Sequence, residues 1–109
     1  MGLADKDGNS PLLQACYHGH QDAARRLLER GADLHQASNR GRTALHEACW
    51  SGHTELAAYL LDCGADHLVT DKDGFAPLHW ACNGGHLGCM ELLLRVWGAP
   101  VEAQTKDGR

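Results

Sequence analysis

Apolar residues along this chain fall into short clusters separated by stretches rich in glycine and aspartate. The first kind of cluster opens on a leucine, and Leu12, Leu45 and Leu78 lie 33 residues apart. A second kind, typified by residues 56–61, follows each of these and ends just before a glycine. Such short apolar clusters, each closed by a glycine, predict two short helices and a turn in every 33 residues.

The 33-residue period extends well beyond the leucines. Ten positions are identical in all three units, and in the first unit they are Gly8, Leu12, Ala15, Cys16, Gly19, His20, Leu27, Leu28, Gly31 and Ala32. The third unit carries one extra residue near Val96 and Trp97. A fixed period of this length is typical of stacked repeats. We therefore predict one domain over 1–109, with repeats at 5–37, 38–70 and 71–104 and the opening of a fourth at 105–109.

Local signals predict where the helices begin and end. Ser10 and Thr43 are N-cap candidates, whereas the third unit has Ala76 at the same position. Pro11 and Pro77 suit the first helical position. Proline has no backbone N–H, and at this position an N–H would have no hydrogen-bond partner within the helix. The glycines after each cluster suit left-handed helix caps.

The sequence Thr-Ala-Leu-His-Glu-Ala at 43–48 differs only at Ala44 from the Thr-Pro-Leu-His-x-Ala signature of ankyrin repeats. With the Gly-His pairs that begin at Gly19, Gly52 and Gly85, it makes the chain resemble the ankyrin repeat family. The resemblance implies an all-α fold, a right-handed solenoid of stacked helix-turn-helix units joined by β-hairpin-like turns. Because the fourth unit only opens, we expect a part of a longer protein, monomeric as an isolated domain.

Charge and hydropathy narrow the function classes. The chain has 10 basic and 14 acidic residues, a formal charge of -4, and so no overall positive field for nucleic acid or anionic lipid. No apolar run approaches the roughly 20 residues that span a bilayer, and the N-terminus lacks a signal-peptide pattern. We expect an intracellular protein, cytoplasmic and/or nuclear, that binds another protein or peptide and neither nucleic acid nor membrane.

Five cysteines and eight histidines raise the question of a metal site. Equivalent residues of stacked repeats lie roughly 8 to 10 Å apart, too far to share a zinc ion at about 2.0 to 2.3 Å or to form a disulfide. We predict no metal, and buried structural thiols at Cys16, Cys49 and Cys82. Cys63 and Cys89 have no predicted partner.

The family resemblance assigns structural roles to most of the histidines. It implies that His46 and His79 bond the backbone near the turns, and that His20, His53 and His86 order the link between the two helices of a unit. No serine or cysteine lies beside a base oriented by a third group, as nucleophilic catalysis requires. We therefore predict no enzyme activity and no cofactor.

Positions that vary between units and face solvent are the candidates for specificity in a repeat protein. In the ankyrin family they form a concave surface from the turn tips and the first helices. The predicted partner-binding residues are Tyr17, His18, Arg40, Arg42, Glu47, Trp50, Phe75, Trp80 and Asn83. We expect an extended partner segment with aromatic or apolar anchors and an acidic group near the two arginines. Trp50 is predicted to face outward as the energetic centre of the binding face, and to contribute to binding more than to stability.

Two alternative hypotheses concern other roles of the same repeats. Trp50, Trp80 and Glu47 are candidates for a cation-binding pocket that reads a modified histone tail. The spacing of Leu27, Asp33 and His35 resembles the layout of an asparaginyl hydroxylase substrate, with His35 as the modified residue in place of asparagine.

Overall fold

The computed structural model describes residues 8–97, and within this range the backbone forms six α-helices and no strand. The helices are α1 (Pro11–His18), α2 (Gln21–Glu29), α3 (Ala44–Ser51), α4 (Thr54–Asp62), α5 (Pro77–Asn83) and α6 (Leu87–Trp97). They alternate as first and second helices of three repeats. The all-α helix-turn-helix prediction is confirmed.

The first helices begin at the predicted caps. Ser10 caps α1, and its hydroxyl oxygen accepts a hydrogen bond from the Leu13 amide at 3.3 Å. Thr43 and Ala76 hold the same extended backbone position before α3 and α5, and Ala76 has no side-chain acceptor to offer. The N-cap residue therefore lies at the same position in every repeat, but only the first two repeats have a hydroxyl side chain there.

Tight turns join the repeats and justify the description as hairpin-like. The residue that opens each turn donates its amide to the carbonyl four residues later, at 2.9 Å, which joins Ser38 to Arg42 and Asp71 to Phe75. Neighbouring turns are also joined, because the Lys72 amide donates to the Arg40 carbonyl at 2.9 Å. The turn tips therefore form a hydrogen-bonded row along one edge of the domain.

The core lies between the two layers of helices. The helices α1, α3 and α5 pack side by side, and α4 packs against α6 behind them. Fully buried leucines in α1, α3, α4 and α6 fill the space between the layers: Leu13, Leu45, Leu56, Leu60 and Leu93.

The predicted burial of the repeated cysteines is confirmed for two of them. Cys16 and Cys49 are fully buried, whereas Cys82 is exposed. The prediction for Cys82 is wrong because a following repeat covers Cys16 and Cys49, and no helix follows α6 in the part of the chain that the structure describes.

His46 links the second repeat to the third through the backbone. Its Nδ1 accepts the Thr43 amide at 3.0 Å, so Nε2 carries the proton and donates to the Phe75 carbonyl at 2.9 Å. His79 repeats the first of these bonds, since its Nδ1 accepts the Ala76 amide at 2.9 Å. The predicted backbone role of the two signature histidines is confirmed.

Stability should fall in acid because His46 is buried. Burial lowers the pKa of His46 from its ordinary value of 6.5, against the raising effect of its bond to Phe75. Above pH 6.5 the ring is neutral in both states, and below it the unfolded chain takes up a proton that the folded domain does not. The free energy of unfolding should therefore decrease below pH 6.5 until the lowered folded pKa is reached. Urea unfolding of His46→Gln and of the parent chain across this range measures the effect, and the variant should show the weaker pH dependence.

The second set of histidines acts between repeats. His53 Nε2 lies 3.1 Å from the Tyr17 carbonyl, and His86 Nε2 lies 2.9 Å from the Trp50 carbonyl. We expected these rings to order the link between the helices of their own repeat. The bonds observed run instead to the last turn of the first helix in the repeat before.

The second helix of the third repeat is two residues longer than its counterparts, and the extra residue of that repeat accounts for one of the two. The helices α2 and α4 have 9 residues each, whereas α6 begins in register and has 11. The end of the third repeat at 98–104, the opening of a fourth at 105–109 and the first residues of repeat one lie outside the described residues.

Restoring a hydroxyl at the α5 cap should stabilise the domain. Ala76 is buried in a position where the second repeat holds Thr43, so the fold can accommodate the larger side chain. Ala76→Thr should add about 1 kcal/mol to the free energy of unfolding by giving α5 a cap acceptor. Urea unfolding measures this, and Ala76→Val is the matched control of equal shape without the oxygen. Equal effects of threonine and valine would contradict the capping explanation.

Candidate functional site

A groove of about 280 Å³ lies between the end of α1 and the turn that precedes α3. Five of the predicted partner-binding residues line it: Tyr17, His18, Arg40, Arg42 and Glu47. We call it the turn groove. Its remaining lining residues are Asn9, Leu13, Gln14 and Ser38, so most of the residues that line it carry polar groups.

The α1 side of the turn groove carries aromatic groups. Tyr17 and His18 are the last two residues of α1, immediately before the left-handed cap Gly19. Tyr17 is 45% exposed, and its ring meets His18 edge-on at 5.0 Å between centroids. His18 also stacks on His20 at 5.8 Å. The helix end therefore presents a large, accessible aromatic surface.

The turn side of the groove carries the two arginines. Ser38 fixes their backbone, because its hydroxyl oxygen accepts the amides of Arg40 at 3.3 Å and Arg42 at 3.4 Å. Arg40 is exposed and Arg42 is half-buried. The turn thus holds two guanidinium groups at one end of the groove on a rigid backbone.

Glu47 forms part of the inner wall of the groove and is buried, with 6% of its surface exposed. The prediction that Glu47 faces solvent is wrong. The helix α3 lies between α1 and α5, so its flanks are covered on both sides. Burial, and then the charge of Glu47, raise the pKa of the Cys16 thiol to about 12. The Glu47 carboxylate therefore lies at the inner wall of the turn groove, whereas Arg40 and Arg42 lie nearer the rim of the groove.

Beside the turn groove, Trp50, Phe75 and Trp80 form an aromatic cluster. Trp80 contacts Trp50 edge-to-face at 4.7 Å and Phe75 at 5.4 Å between ring centroids. All three side chains are half-buried. The Arg42 guanidinium carbon lies 5.0 Å from the centre of the Trp80 ring, in cation–π geometry. Arg42 therefore belongs both to the groove and to the cluster.

Asp71 supports the aromatic cluster and was not among the predicted site residues. It is buried, and one carboxylate oxygen accepts the Trp80 indole N–H at 2.8 Å. The other oxygen accepts the amides of Asp73 at 3.0 Å and Phe75 at 2.9 Å. Asp71 occupies the same repeat position as Ser38, and this equivalence is the sequence feature that points to it. Each of the two residues opens a turn, and its side chain accepts backbone amides of that turn.

Trp50 is more deeply packed than the sequence suggested. It was predicted to face outward with little role in stability, yet it is half-buried against Trp80. Removing it therefore removes packing as well as surface. The same contacts do not favour the histone-tail hypothesis, because an open cage is lacking: Arg42 covers one face of Trp80, and Glu47 is buried.

The other predicted residues lie apart from these two features. Asn83 is exposed as the last residue of α5. His35 is exposed in the loop after α2, where its amide donates to the Asp33 carboxylate at 2.9 Å. Hydroxylation of His35 stays a prediction.

In the described range no group of three or more His, Cys, Asp or Glu side chains is arranged to hold a metal ion. Over the same residues, none of the helices has both the length and the apolar character to cross a bilayer.

Comparison with known families agrees with the geometry. The family model described as ankyrin repeats (3 copies) matches residues 1–71, and the model described as ankyrin repeat matches residues 73–106. The chain belongs to the ankyrin repeat family. Ankyrin repeats are a general protein–protein interaction module and are typically non-catalytic.

One curated relative of this ankyrin chain is protein fem-1 homolog A-like from Mus musculus. The two are 42% identical over 41 residues, which is 38% of this chain and 6% of that protein. The matched segment is thus a small part of a much longer relative.

Proposed function

We propose that this ankyrin domain binds an extended segment of another protein across its concave face, with the turn groove as the main contact. The observation that carries the proposal is the convergence of Tyr17, Arg40 and Arg42 on one groove from two elements. Surface arginine and tyrosine are the side chains most enriched at binding hot spots. Their backbones are also fixed in advance, which reduces the entropy lost on binding.

The chemistry of the groove favours a partner segment with a carboxylate beside an aromatic or large apolar side chain. Arginine binds carboxylates through two parallel hydrogen bonds, and Arg40 is exposed enough to offer them. Tyr17 supplies the neighbouring apolar surface. Because the whole chain carries a charge of -4, attraction is confined to the groove and long-range steering toward an acidic partner is weak.

The segment would continue from the groove toward the aromatic cluster. Arg42 bridges the two features, since it lines the groove and lies over Trp80. A bound carboxylate near Arg42 would share the guanidinium with the indole ring. Both features lie on the side formed by the turns and first helices, as binding across the concave face requires.

The test is affinity capture with mass spectrometry to obtain a partner, followed by calorimetry with domain variants. Tyr17→Ala should weaken binding by about 1 to 3 kcal/mol, while thermal unfolding changes little because the side chain is 45% exposed. Arg40→Ala should weaken binding too, and more strongly at low salt. Both positions lie in the groove and outside the aromatic cluster, so they avoid the stability loss expected at Trp50.

Arg26→Ala is the matched control, because Arg26 is an exposed arginine on α2 and does not line the groove. It should leave binding unchanged. Normal binding by both Tyr17→Ala and Arg40→Ala, or an equal loss with Arg26→Ala, would overturn the assignment of the groove.

A further inference from the structure

Two cysteines from different repeats meet in the core. The first turn of α6 lies against the turn between α3 and α4, where His86 Nε2 donates to the Trp50 carbonyl at 2.9 Å. A Cβ on Gly88 would lie 2.6 Å from Thr54 Oγ1, so the glycine allows close approach. Cys89 Sγ lies 3.5 Å from the same hydroxyl oxygen. The packing of α6 against this turn places Cys89 beside Cys49, the residue before Trp50.

The two thiols form a buried, interacting pair. Cys49 and Cys89 are both fully buried, and their side chains are hydrogen-bonded to each other. The pair occurs at one junction only among the described repeats. At the equivalent place between the first and second repeats, the counterparts are Cys16 and Leu56. The second thiol is therefore not required by the repeat fold, since leucine fills the same position.

The surroundings shift the pKa values of the two thiols in opposite directions. The hydrogen bond from Cys49 lowers the pKa of Cys89 to about 6, with help from Thr54 and from the nearby His86 and against the effect of burial. The same hydrogen bond, together with burial, raises the pKa of Cys49. One thiol of the pair is thus easier to ionise than the other, which suits a reaction in which one sulfur attacks and the neighbouring thiol resolves the product.

We propose that Cys49 and Cys89 are an oxidisable dithiol that hydrogen peroxide converts to a disulfide between the second and third repeats. The Cys89 thiolate attacks one peroxide oxygen, the O–O bond breaks, and Cys89 sulfenic acid and hydroxide form. The Cys49 sulfur then attacks the sulfenic sulfur and displaces its oxygen. The thiol proton and one from solvent leave with the two oxygens as water, so two thiols and one peroxide give one disulfide and two waters.

Oxidation requires a local opening at α6, because neither sulfur is exposed in the closed fold. The competing thiols are Cys63 and Cys82, which are exposed and therefore accessible to peroxide in solution. Disulfide formation is therefore best followed in a Cys63→Ser, Cys82→Ser variant. Both substitutions lie at exposed positions and leave the core intact.

The experiment treats this folded variant with hydrogen peroxide, blocks free thiols under denaturing conditions, and maps peptides by mass spectrometry without reductant. We expect a peptide pair joined through Cys49 and Cys89 with the loss of two hydrogens, reversed by dithiothreitol. Cys16 is the internal control, because it is equally buried and faces no second thiol, and it should be recovered as a free thiol. The same treatment of the parent chain should oxidise Cys82, which verifies the peroxide dose.

Three outcomes would overturn the proposal. Recovery of both thiols under a dose that oxidises Cys82 would show that the pair is not oxidisable in the fold. Conversion of Cys89 to sulfinic acid with Cys49 still free would show that Cys49 does not resolve it. Linkage of Cys16 to either residue would show that the disulfide arises from unfolded chain.

Discussion

Replacement of His46 by alanine is expected to destabilise the domain by about 3 to 5 kcal/mol. His46 is fully buried, and both of its ring nitrogens are engaged, with the Thr43 amide and the Phe75 carbonyl. Alanine leaves an amide and a carbonyl without partners and opens a cavity next to the turns. The loss is a large part of the total stability of a domain of this size.

Urea unfolding of His46→Ala, compared with His79→Ala, measures this effect. His79 is the equivalent residue one repeat later and is half-buried, so its loss should cost less. Equal destabilisation of the two variants would mean that the bond from His46 to the Phe75 carbonyl does not account for the contribution of His46 to stability.

Gly52→Ala should also be strongly destabilising, by about 3 kcal/mol or more. Gly52 caps α3 with φ of 78°, a left-handed conformation that disfavours a side chain. A Cβ there would lie 2.5 Å from the His86 ring. That ring cannot simply move away, because its Nε2 donates to the Trp50 carbonyl.

Gly64→Ala separates the two causes. Gly64 has φ of 103°, and an added Cβ would meet nothing within 4 Å. It should therefore show only the backbone cost of about 1 to 2 kcal/mol. Thermal or urea unfolding of both variants gives the difference, which measures the steric cost at His86. Equal losses would mean that His86 rearranges freely.

The sequence predicted most of the fold because its signals are local and repeated. Ser10 at a cap and glycine at a left-handed position each constrain a few neighbouring residues, and the period shows that the same constraint recurs. Part of the lengthening of α6 was visible as the extra residue near Val96. The sequence could not assign it to the helix rather than to the loop, because valine and tryptophan have only intermediate helix propensity.

The candidate site was predicted less completely, because burial depends on neighbours far apart in sequence. Tyr17 and Arg40 were found as variable positions and do lie together. Glu47 varies in the same way, yet α1 and α5 cover it. Asp71 was missed because its role, holding the Trp80 indole, appears only when turn and helix are seen together.

The cysteines show a further limit of comparing equivalent positions. That comparison predicts only that Cys16, Cys49 and Cys82 lie about one helix-packing distance apart, roughly 8 to 10 Å. It could not reveal contact between Cys49 and Cys89, which occupy different positions in neighbouring repeats. Only the packing of α6 against the preceding repeat brings them together.

The histidine bonds between repeats also affect how such arrays can be recombined. The carbonyls of Tyr17 and Trp50 are held by His53 and His86, each contributed by the next repeat. A repeat transplanted alone into a foreign array would carry its aromatic residue but would depend on the next repeat of that array for the ring that fixes its backbone. The smallest transferable cassette is therefore a repeat together with the Gly-His segment that follows it, and recombination breakpoints inside a second helix would preserve recognition better than breakpoints at the turns.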